Sequence, residues 1–308
     1  MIKRILSIDG GGILGVFPAS FLANIEKHCK INVREYFDLI VGTSTGGIIA
    51  LGIGLGLSCS EILSFYQALG PKIFDRNFIY KYFKGLTKSR YSSEKLRESI
   101  ENVFDNRRLS DSTVRLAIPA MRKTDAEPYV FKTAHHESYK RDYQRSAIEV
   151  ALATSAAPTF FESFMSTQNV PLIDGGLWAN NPACVGAIES IGVLKWPAEE
   201  VRILSIGTTK IPLKIQRKMD GYIWGKKIIN TLMRAQSCTA INQAQLIVGK
   251  ENFHRIDPFV TNHKLKLDST KYIELLVELA ADEERKHINT LEPVFFREKA
   301  ELFKPIYK

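Results

Sequence analysis

The chain has 308 residues, 45% hydrophobic and 24% charged, an ordinary globular composition that argues against disorder of the whole chain. At this length one large domain can bury enough surface to need neither disulfides nor a structural metal. The 42 basic and 33 acidic residues leave a net charge of +9, which favours anionic partners such as nucleic acid, nucleotides or acidic lipid headgroups without choosing among them.

In chain order, Ile5–Ile8 is a short β-prone run ending at Asp9 and three glycines. Phe17–Lys30 is predicted helical, with Phe21, Leu22 and Ile25 on one face. Leu39–Val41 is a second short strand, and Ser44–Leu57 reads as a helix. Another helix is expected over Ser60–Leu69, opened by a serine cap. Ser92–Phe104 is amphipathic, with Leu96, Ile100, Val103 and Phe104 on one face. Strands are predicted at Val114–Ala120 and Tyr129–Thr133, and a helix over Ser146–Thr154. Leu172 and Ile173 lead a strand into Asp174-Gly175-Gly176, and Pro182 opens a helix to about Leu194. Val201–Ile206 is a buried strand. Tyr222–Val248 and Lys271–Thr290 are long helices, with a strand at Phe253–Asp257 between them. Alternating strands and helices predict an α/β fold: a mostly parallel sheet with helices on both faces.

Three motifs carry chemistry. Gly42-Thr43-Ser44-Thr45-Gly46 lies between a strand and a helix, the setting of a nucleophile elbow. There the turn projects Ser44 Oγ outward, and the helix amides favour developing negative charge. Asp9-Gly10-Gly11-Gly12-Ile13-Leu14-Gly15 also joins a strand to a helix; its glycine N–H groups can converge on an anion such as the oxyanion of acyl transfer. Gly10, Gly12 and Gly15 equally fit a dinucleotide-binding fingerprint, against which stand the carboxylate of Asp9 and the unexplained Ser44 elbow. Asp174 ends a strand and can accept the Ser44 proton as general base. A Ser-His-Asp triad stays open, with His254, His263 and His287 as candidates.

In this order the three motifs, with Ala153-Thr-Ser-Ala-Ala-Pro-Thr-Phe160, resemble the patatin-like phospholipases over about residues 4–207. The resemblance implies that family's three-layer fold, with 208–308 as a helical C-terminal portion of the same domain. It implies hydrolysis of lipid esters by a Ser44–Asp174 dyad, with Gly10, Gly11 and Gly12 holding the oxyanion and no cofactor needed for the chemistry. Gly15, Gly42, Gly46, Gly175 and Gly176 are the supporting motif positions. The compact start of the chain is similar to bacterial patatin-like effectors of anti-phage signalling. That branch implies activation by a cyclic dinucleotide, degradation of the cell's own membrane, and homo-oligomers. A constitutive lipid acyl hydrolase is the alternative.

Two basic stretches bear on partners. Lys72, Arg76, Lys81, Lys84, Lys88 and Arg90 are interleaved with Phe74, Phe78, Tyr80, Tyr82, Phe83 and Tyr91, a pattern suited to a lid on a lipid interface and equally to single-stranded nucleic acid. Lys210, Lys214, Arg217, Lys218, Lys226 and Lys227 follow the Val201 strand, where open α/β sheets bind ligands. No nucleic-acid polymer is expected as partner. Cys29, Cys59, Cys184 and Cys238 form no C-x-x-C pair, which fits a reducing cytoplasm and gives no zinc site. The N-terminal run lacks a signal-peptide h-region, so the expected site of action is the inner face of the cell membrane, reached peripherally.

Overall fold

Apolar side chains alternate between two cores, one on each side of a single sheet, because successive strand residues point to opposite faces. In β1 (Lys3–Ile8), Leu6 and Ile8 enter one core and Ile5 the other. In β7 (Val201–Ile206), Leu204 and Ile206 enter the first, Val201 and Ile203 the second. The remaining strands are β2 (Leu39–Gly42), β3 (Arg115–Arg122), β4 (Pro128–Lys132), β5 (Phe164–Met165), β6 (Pro171–Asp174) and β8 (Phe253–Ile256). The coordinates are a computed structural model describing residues 1–73, 91, 93–158, 160–210, 221–260 and 267–307.

The principal helices are α1 (Val16–Cys29), α2 (Thr45–Gly54), α3 (Cys59–Ile73), α4 (Ser93–Phe104), α5 (Ala147–Thr154), α6 (Gly176–Ala179), α7 (Ala183–Ile188), α8 (Gly221–Val248) and α9 (Ile273–Leu291). The first core takes Phe17 and Phe21 from α1, Ile49 and Leu51 from α2, and Leu276, Ala280 and Ile288 from α9. Ala183, Ala187, Ala244 and Val248 from α7 and α8 cover the other face. Burying each phenylalanine contributes roughly 1.5–3 kcal/mol. This is the expected patatin-like layering, with a mixed sheet: β3, β2, β1, β7 and β8 run parallel, while β4 and β6 pair antiparallel with β3, and β5 with β6.

Some element ends differ from expectation. The helix placed at Ser60 begins a turn's fraction earlier, where Ser58 and Glu61 cap each other: Ser58 N donates to Glu61 Oε2 (2.8 Å) and Glu61 N to Ser58 Oγ (3.2 Å). The helix expected to reach Leu57 stops at Gly54, followed by Gly56 with φ +97°. The Pro182 helix is regular only to Ile188 and then widens, Leu194 N donating to Glu189 O.

The register positions the site. Ala117 of β3 pairs with Val41 of β2 and Lys132 of β4; Ala120 pairs with Asp174 of β6 and Tyr129 of β4. With β4 along one edge of β3, β2 and β6 must share the other. They run toward each other along it. Their C-terminal ends meet, bringing the turn after Gly42 beside Asp174.

Candidate active site

Ser44 follows β2 and precedes α2 with φ 55° and ψ −121°. Left-handed φ at a non-glycine residue costs about 1–3 kcal/mol and needs surroundings that hold it. Here Ser44 N donates to Thr154 Oγ1 (2.9 Å), Thr154 Oγ1 donates to Pro119 O (2.6 Å), and Thr43 Oγ1 donates to Ala179 O (2.6 Å). The elbow is too tight for side chains on either side: a Cβ on Gly42 would run into Gly46 O, and one on Gly46 into Ile8 O.

Asp174 ends β6, its N–H held by Ala156 O (3.1 Å). Ser44 Oγ donates to Asp174 Oδ2 at 2.7 Å, and Gly176 N donates to Asp174 Oδ1 at 2.6 Å. Burial pushes this carboxyl up to about 6, against the lowering effect of those two donors. It is therefore ionised at neutral pH yet more basic than an exposed aspartate. Gly175 packs against Pro119, leaving no room for a Cβ, so the Asp-Gly-Gly turn lies flat on β3.

The glycine loop follows β1. Its three amides are not equivalent. Gly10 N donates to Asn180 O (2.9 Å), so this N–H is already engaged and does not point freely at an oxyanion. The N–H groups of Gly11 and Gly12 have no backbone acceptor among the described residues. Gly12 has φ +57°, Ile13 N donates to Leu267 O (2.9 Å), and Gly15 packs directly on Thr45. Behind the loop, Arg255 of β8 forks onto Asp9 (2.9 and 2.6 Å) and bonds Asp257 (2.9 Å) and Ser205 (2.7 Å). Burial opposes the charge on this guanidinium, but the two carboxylates hold its pKa above the ordinary value.

Ser44, Asp174, Gly11 and Gly12 border one cavity of about 130 Å³, whose walls include Ile48, Phe65, Leu96, Phe160, Phe161 and Met233. Such a lining accepts an acyl chain and disfavours a charged group. Among the described residues no cluster of His, Cys, Asp or Glu is arranged to hold a metal.

His254 packs its ring on Phe295 (5.2 Å) and His287 faces Glu283 (3.4 Å); neither lines the cavity. His263 lies outside the described residues. So does most of the aromatic-basic segment; its last member, Tyr91, is buried, stacks on Phe160 (6.3 Å) and donates to Asp268 (2.9 Å). Of the second stretch, Lys210 lies 3.7 Å from Asp257, while Lys214, Arg217 and Lys218 fall outside the described residues. Sequence reasoning missed Thr154, Asn180 and Arg255. Thr154 lies inside the Ala153–Phe160 segment, and Asn180 follows the Asp-Gly-Gly motif by about one helical turn. Arg255 left no local signal.

A mixed three-layer fold whose glycine loop, serine elbow and aspartate turn meet at an apolar cavity defines a lipid acyl hydrolase. The chain belongs to the patatin family: the model described as "Patatin-like phospholipase" matches residues 6–185. Among its relatives is a protein named cGAMP-activated phospholipase from Escherichia coli (strain TW11681), 37% identical over 75% of this chain and 72% of that one. Proteins of the same name from Pseudomonas aeruginosa (28% identity; 85% and 80%) and Vibrio cholerae (34%; 67% and 64%) are also similar. The glycine loop therefore belongs to a hydrolase and not to an oxidoreductase. Among the described residues no helix is long and apolar enough to cross a membrane.

Proposed function

We propose that this protein cleaves fatty acyl esters of membrane phospholipids through a Ser44–Asp174 dyad and is switched on by a cyclic dinucleotide. The 2.7 Å hydrogen bond from Ser44 Oγ to Asp174 Oδ2 carries the chemical half of the reading. Asp174 takes the Ser44 proton as Oγ attacks the acyl carbonyl carbon. The carbonyl oxygen becomes an oxyanion facing the Gly11 and Gly12 amides. Collapse breaks the ester bond; the departing lysophospholipid oxygen takes the proton from Asp174, leaving acyl-Ser44. Water then attacks, giving its proton to Asp174. Collapse of this second intermediate returns that proton to Ser44 and releases the fatty acid.

The names of the three bacterial relatives support the regulatory half, and cGAMP is the activator they point to. The excess positive charge suits both a dinucleotide and an anionic membrane surface engaged peripherally. The test is fatty acid release from phosphatidylethanolamine/phosphatidylglycerol liposomes, with and without cGAMP and other cyclic dinucleotides. Release that requires one nucleotide and disappears in Ser44→Ala is expected. Ser44-dependent release without nucleotide would remove the gating and leave a constitutive hydrolase. Undiminished release by Ser44→Ala would remove the dyad.

A further inference from the structure

Among the described residues, every polar side chain lining the acyl cavity has an internal partner except one. Ser44 bonds Asp174, Thr45 and Tyr66 bond each other (2.6 Å), and Ser155 Oγ donates to Ala151 O (2.6 Å). Asn180 is the exception. It is 8% exposed, lines the cavity, and its carboxamide makes no hydrogen bond among the described residues. Oδ1 is fully buried without a donor. A buried amide left unpaired costs about 1–3 kcal/mol, so such a group in a native cavity calls for a ligand.

Its position says which part of the ligand. A Cβ built on Gly10 would stand 2.8 Å from Asn180 Oδ1 and 3.3 Å from Ser44 Cβ; one built on Gly176 would stand 3.3 Å from the same Oδ1. The carboxamide thus sits between the glycine loop, the nucleophile and the aspartate turn, where the attacked carbonyl must lie. Rotation about Cβ–Cγ exchanges its oxygen and nitrogen with no change of shape, so Nδ2 can face Ser44. Among the described residues of the lining there is no Lys, Arg or His, and Asn180 supplies the sole side-chain N–H. The Asn180 backbone carbonyl separately holds Gly10 N, a bond that survives any change of side chain.

We propose that Asn180 is a further catalytic residue, its carboxamide N–H joining the Gly11 and Gly12 amides on the oxyanion. The proposal rests on the Ser44 acyl-transfer reading above. A neutral donor suits the place: it stabilises the oxyanion without fixing Asp174 in an ion pair that would lower its basicity.

The experiment compares wild type, Ser44→Ala, Asn180→Ala and Asn180→Asp on a short soluble ester, under the nucleotide condition giving the highest wild-type turnover. A trifluoromethyl ketone serves as mimic of the tetrahedral intermediate and a medium-chain fatty acid as product. Asn180→Ala should lower kcat by about 10²–10³-fold, leave KM within about threefold, and weaken the ketone by a factor similar to the kcat loss. Affinity for the fatty acid and the unfolding midpoint should hardly move. Asn180→Asp keeps the shape; it should lose at least as much activity, and more as pH rises and its carboxylate ionises. Asn180→Ala with kcat within about fivefold of wild type, or a kcat loss without loss of ketone affinity, would overturn the assignment. If Ser44→Ala abolishes turnover while both Asn180 variants keep it, this inference alone fails. If Ser44→Ala keeps turnover, the acyl-transfer reading fails with it.

Discussion

At the scale of single residues, Asp174 combines two opposed demands. A base in an apolar cavity is stronger than one in water, but its charge is costly where it stands. With a carboxyl near 6, kcat/KM on a soluble uncharged ester should rise about tenfold per pH unit below that value and level off above it. A flat profile between pH 5 and 8 would remove Asp174 as base. The stability consequence has the opposite direction. Below about 4 the carboxyl is protonated folded and unfolded; above about 6 it is ionised in both, and the folded state carries the full desolvation cost. Asp174→Asn should therefore abolish activity yet stabilise the fold by about 1–3 kcal/mol at pH 8. The gain should fade toward pH 4 in urea titrations. Ser44 and Asp174 were legible because each sits in a local pattern, strand then glycine turn. The commitment of Gly10 was not, because its acceptor, Asn180, lies far along the chain.

At the scale of elements, α5 links the two halves of the dyad. Ser146 caps its start by accepting from Ile148 N (3.1 Å). Thr154 at its end receives the Ser44 amide, and Ala156 just beyond receives that of Asp174. The sequence marked 153–160 as a motif, but the reason for a threonine became visible only with β3 and the elbow around it. Thr154→Val keeps the shape and removes the hydroxyl, leaving Ser44 N–H and Pro119 C=O buried without partners. A loss on the order of 2 kcal/mol is expected in urea unfolding. A drop in kcat of more than tenfold should accompany it, as Ser44 relaxes from its left-handed φ. Thr154→Ser, which restores the hydroxyl, should recover most of both. If valine leaves kcat intact, the hydrogen bond is not what holds the nucleophile.

At the scale of the whole molecule, the C-terminal third is tied into the site by Leu267, which accepts from Ile13 N, by Met233 in the cavity wall, and by a buried ion pair behind the glycine loop. β8 extends the sheet beside β7, and Arg255 reaches Asp9 across 246 residues of sequence. Composition and periodicity could place β8, but they could not show that its single arginine backs the glycine loop. We propose on this basis that residues 208–308 and the core are one domain, which should unfold in a single calorimetric transition. Arg255→Met tests the coupling. It leaves Asp9 buried without its guanidinium and Asp257 with Lys210 alone (3.7 Å), and removing one partner of a buried pair costs about 3–5 kcal/mol. Asp9, whose carboxyl burial already raises to about 6, then loses the lowering effect of that guanidinium and stands further above its unfolded value. The deficit should be largest at pH 8 and shrink on acidification, as protonation relieves the uncompensated charges. Asp9→Asn with Arg255→Met removes the pair and one of those two charges, and should recover part of the stability. Because Asp9 precedes Gly10 directly, Arg255→Met should also lower kcat at pH 8, where the loop has lost its anchor. A variant that unfolds earlier but turns over normally below its transition would show that the pair stabilises the fold without positioning the loop.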